Sequence, residues 1–436
     1  MPSTPITVGD ITSTRIPTGL EIAGRLHDDR RELPERVWFQ VHGAPEDLLP
    51  AHADPFAAAL ALAAMAAGRA LHVAEPVSAG LLEGLGRIMR QHAAWTEGTS
   101  APLAPVEIRA EGVHRSGRGA RAISFFSGGL DSFYTLLRNH ERYPRGDARR
   151  IGALVLLHGF DVPLTDEDTF ARVREHATAV ARAVECELLV VRTNVREVLT
   201  RLDWEEQGHG AALAAAGLAL ASLVHTVYVP SSGQPLSAGL PNAVHASLVP
   251  WWSTETAEFV SDGSWATRSA KTALVARSPV AREHLRVCWQ ASSRGRNCGD
   301  CEKCLRTMID LHIAGVLDQC ALFPPAVDVE RVRRLSIPLV DYYFWREMLE
   351  HLSAPRDRAL ADAVRTALVR EEWSRSRTAR LDRLLSALVA PLGLSGARLK
   401  ELDRRWLGGA ARGFMEASRR RAWRRHRDPS PQERSP

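Results

Sequence analysis

Arg121-Ala-Ile-Ser-Phe-Phe-Ser-Gly-Gly-Leu-Asp-Ser-Phe-Tyr-Thr-Leu-Leu137 reads as a strand, a glycine turn and a helix in direct succession. Ile123 to Phe126 have the apolar run of a buried strand, and Phe133 to Leu137 begin a helix. Between them, the paired glycines of Ser127-Gly128-Gly129-Leu130-Asp131-Ser132 let the backbone turn tightly and bring its N–H groups close to an anion. The helix that follows points its unpaired N–H groups and positive dipole end at the same place. Ser127 and Ser132 add hydroxyl donors, and Asp131 offers a carboxylate for a metal or an orienting hydrogen bond. The stretch predicts a phosphate cradle. It lacks the Lys-Ser/Thr of a Walker A loop and the spacing of a dinucleotide fingerprint.

Strands and helices alternate on the C-terminal side. Ile151 to Leu157 form a continuous apolar run, as in a parallel strand covered on both faces. Thr165 is a candidate helix cap with Asp168 three residues on, and Phe170, Val173, Ala177, Val180 and Val184 give a helical stripe. Glu187 to Val191 and Thr226 to Val229 supply two more strands around a small-residue helix, Ala211 to Val224. The pattern predicts an α/β fold with a doubly wound parallel sheet over residues 121–320, whose ligands lie at the carboxyl ends of the strands. Ser127, His158, Asp161, Thr193 and Ser231 fall at those ends, and Trp204 and His209 are further candidate pocket residues. Residues 230–270 read as an irregular substrate loop, in which Trp251 and Trp252 either cap the pocket or pack internally. Arg268 and Lys271 are candidates to neutralise phosphate charge, with surface solvation as the alternative.

Six cysteines are present, and four of them, Cys288, Cys298, Cys301 and Cys304, fall within seventeen positions. Two-residue spacings around a turn opened by Gly299 can point successive sulfurs at one ion. Four thiolates complete a tetrahedral zinc site and leave no position for water, so the metal is structural. An iron–sulfur cluster is the chemical rival. The helix from Cys304 toward Gly315 would be pinned to the α/β body by this knuckle.

The pattern Ser-Gly-Gly-x-Asp-Ser resembles the PP-loop of the N-type ATP pyrophosphatases. Followed by Cys298-Gly-Asp-Cys301-Glu-Lys-Cys304, it is similar to the 7-cyano-7-deazaguanine synthase family of the queuosine pathway. The resemblance implies an adenine-nucleotide α-hydrolase-like fold that binds ATP and Mg²⁺ through Ser127, Gly128, Gly129, Leu130, Asp131 and Ser132, with Asp131 and Ser132 serving catalysis. It implies zinc on the four cysteines and an activity that adenylates a carboxylate or amide for attack by a nitrogen nucleophile. His158-Gly-Phe-Asp161 replaces that family's segment after the second strand, and its substrate segment is absent. The acceptor, a small carboxylate or modified base, therefore stays open. Rival readings are a PP-loop sulfurtransferase acting on tRNA, which needs a reactive thiol outside the cluster, and a non-catalytic nucleotide-binding scaffold.

The remainder is organised around this core. Residues 1–115 read as an α+β module, with strands at Gly19 to Leu26, Arg36 to His42, Ala70 to Ala74 and Val106 to Ala110, and helices at Phe56 to Ala67 and Leu81 to His92. Gly112 to Gly119 reads as a linker. Residues 325–415 are Leu/Ala/Arg-rich and helical, a candidate surface for a homodimer. Residues 416–436 read as a disordered basic tail. Six arginines in 419–427 account for the formal net charge of +5, so nucleic-acid binding is an expectation for that tail alone. No apolar run suits a membrane span and no basic-then-apolar leader opens the sequence, which predicts a cytoplasmic protein with no membrane partner.

Overall fold

The computed structural model describes residues 4–44, 48, 52–99, 101–114, 119–232, 241–288, 290, 295–338 and 341–371. The basic tail, the helical extension over 372–415, linker positions 115–118 and loop positions 233–240 lie outside the described residues. The strands are β1 (Ile6–Ile16), β2 (Gly19–His27), β3 (Arg36–His42), β4 (Leu71–Val73), β5 (Val77–Ser78), β6 (Ile108–Ala110), β7 (Val113–His114), β8 (Arg121–Phe125), β9 (Ile151–His158), β10 (Glu187–Thr193), β11 (Val224–Pro230) and β12 (Glu258–Asp262). The helices are α1 (Asp54–Ala67), α2 (Ala79–Thr96), α3 (Leu130–Arg142), α4 (Glu167–Ala183), α5 (Val195–Val198), α6 (His209–Leu218), α7 (Arg268–Ala276), α8 (Pro279–His284), α9 (Glu302–Ile313), α10 (Val329–Arg334) and α11 (Tyr342–His351), with a further helix over 358–371.

Ten of the strands form one mostly parallel sheet in the order β12-β11-β8-β9-β10-β3-β2-β1-β4-β6. From β12 to β10 every neighbour is parallel. The chain runs outward through β8, β9 and β10, then returns to place β11 on the other side of β8. In doubly wound sheets, crossovers in opposite directions leave a crevice where the direction reverses, and here that switch point falls at the carboxyl ends of β8 and β11. The core under the outward crossovers joins Phe126, Phe133 and Leu136 to Leu154, Leu156, Phe170, Val173 and Ala177. Val184, the last member of the α4 stripe, is partly buried against it.

The strands of the first region share this sheet: β3 pairs antiparallel with β10, and β2, β1, β4 and β6 extend the order outward. Asn194 locks the join, accepting from Trp38 N–H at 3.0 Å and donating to the Arg36 carbonyl at 3.0 Å. The Ala-rich α1 is buried on nearly all sides and packs on α6, whose small side chains permit close helix contact. Residues 1–89 and 105–327 form one compact unit; residues 90–104 and 328–436 form the other.

Several local expectations change. The cap of α4 is Asp166, which accepts from Thr169 N–H, so Thr165 is not the cap. Val113–His114, expected in a linker, pair with β5. Glu258–Asp262, expected in an irregular loop, form edge strand β12 on β11, and β1 was not expected as a strand. These strands are short or rich in Thr and Gly, and the neighbouring strand supplies what their own pattern lacks. Among the described residues no helix is long and apolar enough to cross a membrane.

In the second unit His92 is 1% exposed and meets Trp95 edge-on with centroids 5.4 Å apart. Burial pushes its imidazole down to about 4. The folded value lies below the unfolded one, so the stabilisation is present above about pH 6.5 and is lost as pH falls toward 4, by roughly 2–3 kcal/mol. In urea titrations, His92→Phe should lose less stability than the parent between pH 7 and pH 4.5; equal losses would contradict this account.

Candidate functional site

The glycine loop lies at the carboxyl end of β8, at the point where the strand order reverses. Gly128 adopts φ +77°, the left-handed region in which a side chain is strained. Gly129 is the N-cap of α3 and has no side chain to cap it, and among the described residues no side chain accepts from the first N–H groups of this thirteen-residue helix. The Ser127 hydroxyl, exposed, accepts from Gly129 N–H at 3.3 Å. Ser132 is buried and donates its hydroxyl to the Gly129 carbonyl at 2.8 Å, so it shapes the loop from below. Leu130 packs into the core.

Lys271 comes to the same place from α7. It is 0% exposed, and its ammonium donates to Asp131 Oδ1 at 2.7 Å and to the Ser231 carbonyl beyond β11. Tyr134 flanks it with a ring centroid 5.5 Å away. A buried ammonium needs such partners, because removing either leaves an uncompensated charge. Lys271 thus places a fixed positive charge between the ends of β8 and β11, and the surface-solvation alternative does not hold for it. It also engages one of the two Asp131 oxygens.

A second group gathers at the end of β9. The rings of Phe160 and Trp204 stand edge to face at 5.4 Å, and Trp204 and His209 lie 5.2 Å apart. A π-helical turn over Trp204–Gly208, capped by Asp203, carries both of the latter into α6. The Arg196 guanidinium lies 4.5 Å over the Trp204 ring and donates to the Phe160 carbonyl at 2.5 Å. Burial pushes the His209 imidazole down, while the carboxylates of Asp161 and Glu205 act in the opposite sense. The charge of Lys303, inside the cysteine knuckle, also reaches His209. Asp161, Trp204 and His209 are therefore brought together, with Phe160, Arg196 and Lys303 as members the sequence did not single out.

Three other candidates sit elsewhere. His158 is 0% exposed; its ring stacks on Phe170 at 3.8 Å and its Nε2 lies 3.0 Å from the Pro163 carbonyl, so it braces β9 against α4. Arg268 is buried and gives its guanidinium to Asp310 at 2.8 Å and Thr307 at 2.7 Å, fastening α7 to α9. Trp252 is 2% exposed within the 3₁₀ turn Val249–Trp252, which packs on β12. Packing is the reading that holds for Trp252, and an internal ion pair for Arg268.

The four cysteines converge. Their sulfurs all lie within 4.8 Å of one another, with Cys288 and Cys301 at 4.0 Å and Cys298 and Cys304 at 3.8 Å. Zinc–sulfur bonds of about 2.3 Å in a tetrahedron put sulfurs about 3.8 Å apart, so the cluster fits one such ion. Cys298 Sγ also accepts the N–H groups of Asp300 and Cys301 at 3.4 and 3.3 Å. Gly299, at φ +74°, makes the turn; a Cβ there would meet Pro324 Cγ at 2.6 Å. Asn297 closes the base, accepting from the N–H groups of Val287 and Cys288 and donating to the Leu285 carbonyl. Hydrogen bonds with Cys301 and Cys304 hold Cys288 far below the thiol range, and the bond to Cys288 pushes Cys301 up to about 12. A divalent cation would take all four as thiolates.

The segment that leads into the knuckle touches the glycine loop. Arg286, two residues before Cys288, donates its main-chain N–H to the Gly128 carbonyl at 2.8 Å. No protein-family model matches this chain, and no curated protein or solved structure does either.

The metal site yields a direct expectation. Purified protein should carry about one zinc per chain, and Cys301→Ser or Cys304→Ser should lose it with a fall in melting temperature, since structural zinc contributes on the order of 10 kcal/mol in small modules. Cobalt substitution should give sulfur-to-metal charge-transfer bands. Metal-free protein of unchanged stability would overturn the assignment.

Proposed function

We propose that this chain is an ATP-dependent adenylating enzyme that activates a carboxylate or amide for attack by a nitrogen nucleophile, with chemistry like that of 7-cyano-7-deazaguanine synthase. The observation that carries the proposal is the left-handed Gly128 turn running into an α3 terminus without a side-chain cap, beside the buried Lys271 ammonium, at the crevice between β8 and β11. The five parallel strands, taken in chain order, lie 3-2-1-4-5, the arrangement of a doubly wound nucleotide-binding sheet.

In this reading the loop N–H groups hold the phosphates, and Lys271 offsets charge that develops on them. Asp131, pinned through Oδ1, has Oδ2 for Mg²⁺, which commonly takes one carboxylate plus substrate phosphates. An acceptor oxygen attacks the α-phosphorus, the bond to the bridging oxygen breaks, and pyrophosphate leaves with both electrons of that bond. The nitrogen nucleophile then adds to the activated carbon and AMP departs. Phe160, Trp204 and His209 offer flat faces for a planar acceptor, with Arg196 and Asp161 beside them.

Sulfur transfer finds less support. Burial pushes both remaining thiols, Cys186 and Cys320, up to about 11, and each donates to a backbone carbonyl at 3.3 Å. A thiol so held is a poor nucleophile. Cys186 also bonds to Ile151 at the start of β9, the end of the strand opposite the crevice.

With ATP labelled at the α-phosphate and a panel of aromatic and deazapurine carboxylates plus ammonia, AMP and pyrophosphate should form in equal amounts. Gly128→Val should lower the rate at least a hundredfold. ADP as the product, or no turnover across the panel, would contradict the proposal.

A further inference from the structure

The segment leading from α8 into the knuckle carries a cation that the chemistry above leaves unused. Arg286 is 8% exposed, and its Nε is shielded from solvent without a hydrogen-bond partner. Among the described residues its guanidinium makes no hydrogen bond and no ion pair. The other buried cations in this unit have a carboxylate beside them: Lys271 has Asp131, Arg268 has Asp310, Arg69 has Asp28 and Asp29, and Arg306 lies 3.1 Å from Glu302. A guanidinium cannot shed its proton to escape this cost, so a buried one that no described residue hydrogen-bonds points to a further, anionic partner.

Its position identifies the partner's chemistry. The Arg286 main chain is bonded to Gly128, and its Cβ lies 3.9 Å from the point where a Cβ on Gly128 would stand. The Arg286 carbonyl lies 3.8 Å from the corresponding point on Gly129. The main chain and Cβ of Arg286 therefore lie beside the loop that leads into α3. Its charge also reaches Asp161 and the sulfurs of Cys288 and Cys304. Loop N–H groups, a helix terminus and a planar five-donor cation together suit an oxyanion.

We infer that Arg286 is the side-chain cation of an oxyanion site built on the glycine loop, with two sources sharing that chemistry: the phosphates of a nucleotide or pyrophosphate, and the carboxylate of the acceptor. Arg286 contacts the anion directly, and its main-chain bond to Gly128 fixes the loop at the distance that lets both act together. The inference deepens the adenylation reading and rests on it for the identity of the anion, whereas the anion site itself does not require turnover.

The test is calorimetric titration of zinc-replete full-length protein with sodium pyrophosphate, ATP and benzoate, on the parent chain, Arg286→Gln and Arg286→Lys, with zinc content and melting temperature measured in parallel. Arg286→Gln should weaken at least one anion tenfold or more, Arg286→Lys should restore part of it, and zinc content should match the parent. Loss confined to pyrophosphate and ATP assigns the phosphate source; loss confined to benzoate assigns the acceptor carboxylate. Parental binding of all three by Arg286→Gln would overturn the inference. So would loss of zinc with anion binding intact, which would make Arg286 a counter-charge for the sulfurs. A parent chain that binds pyrophosphate but never ATP would sink the adenylation reading and leave the Arg286 site standing; one that binds none of them would end both.

Discussion

A buried ammonium must be surrounded by acceptors, and Lys271 meets that demand by drawing three elements to one point. Its Nζ takes Asp131 from the first turn of α3 and the Ser231 carbonyl from beyond β11, while its own helix α7 is fastened to α9 through Arg268 and Asp310. The two strand ends that border the crevice are thus held by one side chain. The cost of leaving that charge unpaired is several kcal/mol, comparable with the whole stability of a domain, so the loop's position is part of the fold.

The cysteine knuckle acts on the same loop from the other side. Its four sulfurs fix the turn at Gly299 and the start of α9, and the strand of chain before Cys288 lies along the glycine loop through the Arg286 N–H bond. Lys303 brings the knuckle's other edge within electrostatic reach of His209. A metal held by these four sulfurs would stabilise the fold and the segment that lies along the glycine loop together. The strands of residues 1–115 contribute differently: they continue the sheet past β10 and cover that edge.

The sequence was legible where one element's pattern suffices. Apolar runs placed β8, β9, β10 and β11 within a few residues, the α4 stripe marked its buried face, and the cysteine spacing marked the cluster. It was illegible where a partner decides. Edge strand β12 exists because β11 offers it hydrogen bonds. His158 and Arg268 look like site residues by type and position, but Phe170 and Asp310 claim them inside the protein. Arg286 carried no signal in a stretch without periodicity, since its interest lies in a buried Nε that no described residue hydrogen-bonds, and a single chain of letters does not display that. The pairing of Lys271 with Asp131 spans 140 positions and no local spacing encodes it.

The glycine loop and the segment that enters the cysteine knuckle are joined through the Arg286 N–H and the Gly128 carbonyl, which couples the two. Amide hydrogen exchange on the full chain, before and after removal of metal with a chelator, tests this most directly. Chelation should speed exchange at Arg286 and across residues 128–133 together with the knuckle. Faster exchange confined to residues 295–305, with the loop unchanged, would contradict it.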